Sequence, residues 1–148
     1  MAASTTSSIS VAAPAAAVLA VIADFAAYPE WASAVRSAEV TARDPAGQPT
    51  RVRFQLEAGV VKDSYVLGYD WEPAGAGVRW HLAEPGSVVS VMDGAYRLTG
   101  DGGSTDVSYE LTVDLRIPIP GMLKRRAEKT IIDTALRGLK RRAEGGTR

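Results

Sequence analysis

Inward-facing tyrosines and tryptophans are the residues of this sequence with the clearest capacity for chemistry. The chain holds five tyrosines and three tryptophans, and most lie where polar and apolar residues alternate, a pattern that sends every second side chain to one face of a strand. On an apolar wall, phenol hydroxyl and indole N–H groups can orient an apolar ligand, and as fixed donors they can also stabilise an enolate. The side chains with inward parity are Tyr65, Tyr69, Trp71, Trp80, Tyr96 and Tyr109.

Two interpretations of these rings remain open. In the first they fill a packed core, where each aromatic side chain buries roughly 150 to 250 Å². In the second they line a ligand cavity of roughly 300 to 1,000 Å³. A buried phenol hydroxyl without a partner costs about 1 to 3 kcal/mol, so several inward tyrosines favour a cavity that holds water or a ligand.

Titratable residues give only weak candidates for a catalytic base. Asp63 has the parity of Tyr65, and a buried carboxyl can act as an acid or base, although such a residue is more often found at the wet end of a strand. His81 alternates with Trp80 and is expected to face solvent, without an orienting partner. The arginines of the predicted strands also offer no base in the interior, because all have outward parity. They are Arg51, Arg53, Arg79, Arg97 and Arg116. The catalytic residues are therefore unknown from the sequence.

Composition excludes several classes of protein. A chain of 148 residues is long enough for one domain with a real core, expected to span 1–148 with an ordered part over about 8–143. The absence of cysteine excludes disulfides, thiol nucleophiles and thiolate metal sites, and favours a cytoplasmic protein. With one histidine and no phosphate loop, dinucleotide fingerprint or metal-ligand spacing, we expect neither a metal nor another cofactor.

Charge is balanced overall but uneven along the chain. Residues 124–148 hold nine basic and three acidic residues, a net charge of +6, and the remainder carries −6. Acidic residues interrupt the basic ones and no aromatic platform accompanies them, which argues against nucleic acid. A solvated helix face is the ordinary explanation, and transient contact with an anionic membrane is the alternative.

The first predicted elements are a strand and a helix. A polar tail over residues 4–8 precedes a short strand at 9–11, and a helix follows over 14–24. Pro14 is favourable at a first helical position, and the apolar residues of this helix share one face. They are Val18, Leu19 and Ile22.

The apolar run over residues 11–27 is neither a membrane span nor a signal peptide. It is shorter than the roughly 20 residues that a spanning helix needs, and the first basic residue is Arg36, so the positive n-region is missing. The Tyr-Pro-Glu-Trp segment at 28–31 ends the helix, because proline drives the preceding residue out of the helical region. A second short helical piece is expected up to residue 34.

Alternation with a period of two dominates residues 35–117. Thr105 to Leu115 is the clearest strand, and Val52, Phe54 and Leu56 mark another. Short Gly- and Pro-rich turns between such segments indicate antiparallel neighbours. A long helix is expected from Gly121 to about residue 144, with an apolar stripe that steps by four. The stripe comprises Leu123, Ala127, Ile131, Ala135 and Leu139.

Two segments carry a resemblance to a known family. Asp24-Phe25 followed by Tyr-Pro-Glu-Trp, and Ile-Pro-Ile-Pro-Gly at 117–121 opening a basic final helix, resemble the polyketide cyclase/dehydrase branch of the START-like (SRPBCC, Bet v 1-like) superfamily. The similarity extends from about Ser8 to Arg142, and the Pro-Ile-Pro-Gly turn is similar to that of small actinobacterial members.

The resemblance implies an α+β helix-grip fold. In it, a curved antiparallel sheet of six to seven strands wraps a long C-terminal helix, two short helices follow the first strand, and a deep, mostly apolar cavity lies between sheet and helix. Members include aromatic polyketide cyclases, lipid carriers, coenzyme Q-binding proteins and plant hormone-binding proteins. Related cyclases tend to place an arginine or histidine in the cavity, whereas the strand arginines here have outward parity.

We therefore expect a carrier or sensor that binds a small hydrophobic molecule, such as a lipid, an isoprenoid quinone or a polyketide-like compound. The alternatives are a polyketide cyclase/dehydrase-type enzyme that uses the same cavity, and an interaction module. Tyr28 and Trp31 lie either at the cavity mouth or beneath the sheet. The expected ligand-binding residues are Phe54, Tyr65, Tyr69, Trp71, Trp80, Met92, Tyr96, Tyr109, Leu123 and Ile131.

Overall fold

A seven-stranded antiparallel sheet wrapped around a long C-terminal helix forms the fold, as the sequence predicted. This computed structural model describes residues 4–32, 34–58, 61–116, 118 and 120–145. The strand order is β1-β7-β6-β5-β4-β3-β2. The strands are β1 (Thr5–Val11), β2 (Val35–Arg43), β3 (Pro49–Ala58), β4 (Val61–Trp71), β5 (Gly77–Glu84), β6 (Val89–Asp101) and β7 (Ser104–Leu115). The helices are α1 (Ala15–Ala23), α2 (Tyr28–Trp31) and α3 (Gly121–Ala143).

Alternating burial gives the sheet one covered face. In β7 the side chains of Val107, Tyr109, Leu111 and Val113 are buried, while the residues between them are more exposed. A strand with this pattern presents its apolar side chains to one layer of the core. That layer is α3, which buries Ile131, Ala135 and Leu139 from the predicted stripe, among other residues.

Strand β1 begins earlier than the sequence indicated. The expected polar tail over residues 4–8 is wrong from Thr5 onward, because Thr5 already pairs with Leu111 and the ladder continues to Val11 opposite Thr105. These serine and threonine residues lack the apolar alternation that signals a strand. Their strand conformation comes from hydrogen bonds to β7, a tertiary partner that local sequence does not reveal.

A buried carboxylate joins α3 to this edge of the sheet. Glu128 is fully buried; its Oε1 accepts a hydrogen bond from Thr5 Oγ1 at 2.7 Å and its Oε2 accepts one from the Val113 backbone N–H at 2.8 Å. The β1–β7 pairing starts at Thr5 opposite Leu111, so Glu128 accepts the N–H just beyond that start. These two hydrogen bonds offset part of the cost of burying the Glu128 side chain.

Helix α2 packs closely against α3 at Gly138. A Cβ atom on Gly138 would overlap the carbonyl oxygen of Trp31, so only glycine permits this approach. An ion pair between Arg142 Nη1 and Glu30 Oε1, 2.6 Å long, connects the same two helices. None of the described helices combines the length and apolarity required to cross a membrane.

Candidate functional site

An internal cavity of about 50 Å³ lies between the inner face of the sheet and α3. This volume is far below the expected 300 to 1,000 Å³, and it holds a few water molecules at most. The aromatic rings themselves fill the missing space: ring centroids of Tyr96 and Tyr109 lie 4.6 Å apart, and those of Trp80 and Tyr109 lie 5.4 Å apart. The core-filling and cavity-lining interpretations therefore both describe part of this interior.

Most of the residues expected to bind ligand do line this cavity. Seven of them come from inward positions of β3 to β7, as strand parity predicted, and one comes from the centre of α3. These residues are Phe54, Tyr65, Tyr69, Trp80, Met92, Tyr96, Tyr109 and Ile131.

Trp71 and Leu123, which were also expected to bind ligand, do not line this cavity. Trp71 lies at the end of β4, where its Nε1 donates to the carbonyl oxygen of Pro49 at 2.6 Å and its ring stacks on Tyr69. Leu123 is half-buried in the first turn of α3, two turns before Ile131. Trp71 packs against the core, as its parity predicted, but lies beyond the end of the cavity.

One part of the wall, formed by α2, the connection to β2, Val35 and α3, was not among the expected ligand-binding residues. Tyr28 is buried there, and its hydroxyl donates to the carbonyl oxygen of Ile22 at 2.5 Å. This segment is too short for a periodic signal, so the only hint was the Tyr-Pro-Glu-Trp sequence itself. The lining residues outside the expected ligand-binding set are Tyr28, Ala32, Ala34, Val35, Thr134 and Ala135, and of these Tyr28 had been placed either at the cavity mouth or beneath the sheet.

Four tyrosine hydroxyls in the cavity lack a protein partner. Those of Tyr65, Tyr69, Tyr96 and Tyr109 form no hydrogen bond with any described residue. Burial raises the pKa of each phenol, and the neighbouring Tyr109 oxygen raises the pKa of the other three further. The hydroxyls are therefore neutral donors grouped around Tyr109, and none is a phenolate base at neutral pH.

Charged side chains are absent from the described cavity wall. No Asp, Glu, Lys, Arg or His lines it. The five arginines for which outward parity was predicted, Arg51, Arg53, Arg79, Arg97 and Arg116, are all exposed. His81 is exposed on the outer face, where its ring lies over Gly68. The wall can therefore donate hydrogen bonds to a ligand but supplies no ionised acid or base.

Asp63 has a structural role in this fold. Its carboxylate accepts backbone N–H hydrogen bonds of 2.8 to 3.0 Å from Ser64, Ser87, Val88 and Val89. Partial burial acts to raise the pKa of Asp63, but these four hydrogen bonds outweigh it and hold the pKa below its ordinary value. Asp63 thus fixes the connection between β5 and β6 to the start of β4, outside the cavity.

The architecture is that of START-like helix-grip proteins. It is similar to a START superfamily protein from Mycobacterium smegmatis, with a TM-score of 0.86 and 20% identity over 96% of this chain and 97% of that one. The Zhui aromatase/cyclase from Streptomyces sp. R1128 has a TM-score of 0.83 and 20% identity, over 100% and 97% of the two chains. A protein of Thermus thermophilus has a TM-score of 0.82 and 24% identity, over 99% and 100%.

Sequence comparison then assigns the family. The chain belongs to the polyketide cyclase/dehydrase and lipid transport family, whose sequence profile matches residues 2–144. No curated protein sequence matches the chain. The structural neighbours share the fold at low identity, and the family brings together enzymes and carriers, so function depends on the site itself.

Proposed function

We propose that this protein is a cytoplasmic carrier or sensor that binds a small hydrophobic molecule between the sheet and α3. The ligand class is a lipid, an isoprenoid quinone or a polyketide-like ring system. The supporting observation is the group of four phenol hydroxyls that face the cavity without a hydrogen bond to any described residue, in an otherwise apolar wall. Such a wall supplies affinity through apolar burial and orientation through a few hydrogen bonds.

Ligand entry requires the cavity to enlarge. Its volume of about 50 Å³ admits no lipid or polyketide unless the rings rotate or the helices move away from the sheet. A ligand that buries about 300 Å² of apolar surface gains roughly 7 kcal/mol, from which the costs of opening and ordering are subtracted. Micromolar affinity corresponds to about 8 kcal/mol of net free energy, so a ligand held that tightly must bury considerably more apolar surface than this.

Native mass spectrometry of freshly purified protein tests the proposal. We expect part of the population to carry a bound mass that organic extraction removes and that identifies as an apolar compound. Extracted protein is the control, and it should regain mass when the compound is returned. The proposal is wrong if nothing is retained and no apolar probe binds at micromolar concentration.

A polyketide cyclase or dehydrase is the second candidate. The fold likeness to an aromatase/cyclase and the four hydroxyl donors favour it, because fixed donors stabilise an enolate. No charged base lines the described wall, so the reaction would need a base supplied by the substrate or solvent. Turnover of a poly-β-ketone that slows in Tyr109→Phe supports this candidate, and an absence of turnover excludes it.

Transient membrane contact through the basic face of α3 stays a prediction. It fits a carrier that collects a lipid from an anionic bilayer. Binding of the protein to anionic but not to neutral vesicles would support it.

A further inference from the structure

A groove of about 230 Å³ lies on the outside of the α2–α3 contact. Both helices contribute to it, and it adjoins the internal cavity because Thr134 lines both spaces. The groove is lined by Pro29, Glu30, Trp31, Thr134, Arg137 and Arg141.

Two arginines in this groove lack partners. Arg137 and Arg141 are exposed and one helical turn apart, and neither forms an ion pair or a hydrogen bond with a described residue. Like charges at this spacing repel each other. The one carboxylate of the groove, Glu30, is already paired with Arg142. The groove therefore carries uncompensated positive charge suited to an anion.

A buried donor beside these arginines is also unsatisfied. Trp31 is 6% exposed, and its Nε1 is the one fully buried side-chain nitrogen or oxygen, among the residues described, that has no hydrogen-bond partner. Leaving such a donor unpaired costs about 1 to 3 kcal/mol. This nitrogen has no exposed surface, so an acceptor oxygen in the groove pairs with it after the indole ring turns toward the groove.

The groove and the internal cavity are both lined by residues of α2 and α3. Tyr28 and Ala32 face the cavity, while Trp31 between them contributes to the groove. On α3, Ala135 faces the cavity and Arg137 the groove. A molecule with an apolar body in the cavity can therefore place a polar head in the groove by passing Thr134.

We propose that the ligand is an amphiphile with an anionic head, a carboxylate or a phosphate, held by Arg137, Arg141 and the Trp31 indole N–H. This inference rests on the proposed function, because the apolar body occupies the cavity. Arginine donates in a planar fork that matches both kinds of anionic oxygen group. The groove then determines which hydrophobic molecules bind.

Displacement of a neutral fluorescent probe by three 12-carbon amphiphiles tests this inference. Dodecanoate, dodecyl phosphate and dodecanol share the apolar chain and differ only in the head, and each is used below its micelle concentration. We expect an anion to bind at least about tenfold more tightly than the alcohol, the effect of one charge-assisted hydrogen-bonded pair. A preference for one of the two anions identifies the head group.

Single arginine variants locate the preference. In Arg137→Gln and Arg141→Gln, the ratio of anion to alcohol affinity should fall several-fold while dodecanol binds as in the wild type. Arg125→Gln is the matched control, since Arg125 is also exposed and without an ion pair to a described residue but lies about 18 Å earlier along α3. It should keep the full ratio.

The outcomes separate this inference from the proposed function. Equal affinity for all three amphiphiles, or an equal loss in Arg125→Gln and Arg137→Gln, overturns the anionic head site and leaves the apolar cavity in place. Failure of all three amphiphiles and of the neutral probe to bind overturns both. A ratio that falls only in the groove variants supports the site.

Discussion

Two buried phenol hydroxyls of this protein differ in their partners. Tyr28 donates to the carbonyl oxygen of Ile22, whereas Tyr109 bonds to no described residue. We expect Tyr28→Phe to lower the free energy of unfolding by about 1 kcal/mol, because a hydrogen bond is lost. Tyr109→Phe should leave it nearly unchanged, because the Tyr109 hydroxyl faces the cavity and no hydrogen bond to a described residue is lost. Urea denaturation of the two variants measures both values.

Each tyrosine variant serves as the control for the other, since the same atom is deleted from a buried ring. Equal losses of stability would contradict the assignment and indicate that Tyr109 has a permanent partner in the free protein. A phenol hydroxyl that has no partner in the free protein is available to bond to a ligand.

Asp63 gives the fold a pH dependence. Its pKa is lowered in the folded protein, so its hydrogen bonds contribute stability above the unfolded-state value of about 4, and this contribution is lost as the pH falls through the folded-state pKa. We expect Asp63→Asn to reduce the free energy of unfolding by about 1 kcal/mol at pH 7, a value discounted for solvent exposure. The difference from wild type should shrink below pH 4.

Chemical denaturation of both proteins at pH 7, 5, 4 and 3 measures that difference. The exposed Asp106, on β7, supplies the control variant Asp106→Asn, which should show little effect at any of these pH values. A difference between Asp63→Asn and wild type that stays constant to pH 3 would refute the hydrogen-bonded role.

Individual residues of the site could be located from the sequence only by strand parity. Parity brought Tyr65 and Tyr109 to the same wall because each strand turns alternate side chains inward. It could not place Tyr28, which lies in a four-residue helix whose position depends on contacts with α3. It also could not show that Trp71 lies beyond the end of the cavity, because parity gives direction and not depth.

Helix α3 depends on one glycine for its position. Glycine to alanine in the middle of a helix ordinarily stabilises it by about 1 kcal/mol. At Gly138 the added Cβ would overlap the carbonyl oxygen of Trp31, so we expect Gly138→Ala to lower the free energy of unfolding by about 2 kcal/mol. Thermal or urea unfolding measures the change.

The first residue of the same helix provides the control. A Cβ on Gly121 meets only the end of Arg125 at an ordinary 3.6 Å, so Gly121→Ala should be neutral or stabilising. If Gly138→Ala is equally harmless, α2 and α3 do not pack as described. The groove between these two helices would then need another explanation.

Among the elements, β7 and α3 were predicted well because each carries a long pattern of one period. The start of β1 was missed because Thr5 and its serine neighbours have no apolar pattern and are held by β7 and Glu128. Local sequence therefore determined the elements with their own apolar face, and tertiary contacts determined the rest.

For the whole molecule, the sequence predicted the fold that encloses the cavity but overestimated the volume of that cavity. The order of elements and the family resemblance predicted a sheet closed over a helix. The volume depends on how ring side chains pack on one another, and the neighbouring rings of Trp80, Tyr96 and Tyr109 leave only about 50 Å³. Ring packing is set by rotamers across several strands, which periodicity along one strand does not contain.

The most direct test is whether the interior binds a small apolar ligand. It compares binding of the neutral probe N-phenyl-1-naphthylamine to wild type and to Ala135→Leu. Ala135 lines the cavity, and a leucine there occupies its remaining space. We predict saturable binding of one probe per chain to the wild type, at least about tenfold weaker binding to Ala135→Leu, and unchanged binding to the surface variant Ala16→Leu. An absence of saturable binding to wild type, or equal binding to a folded Ala135→Leu, would contradict it.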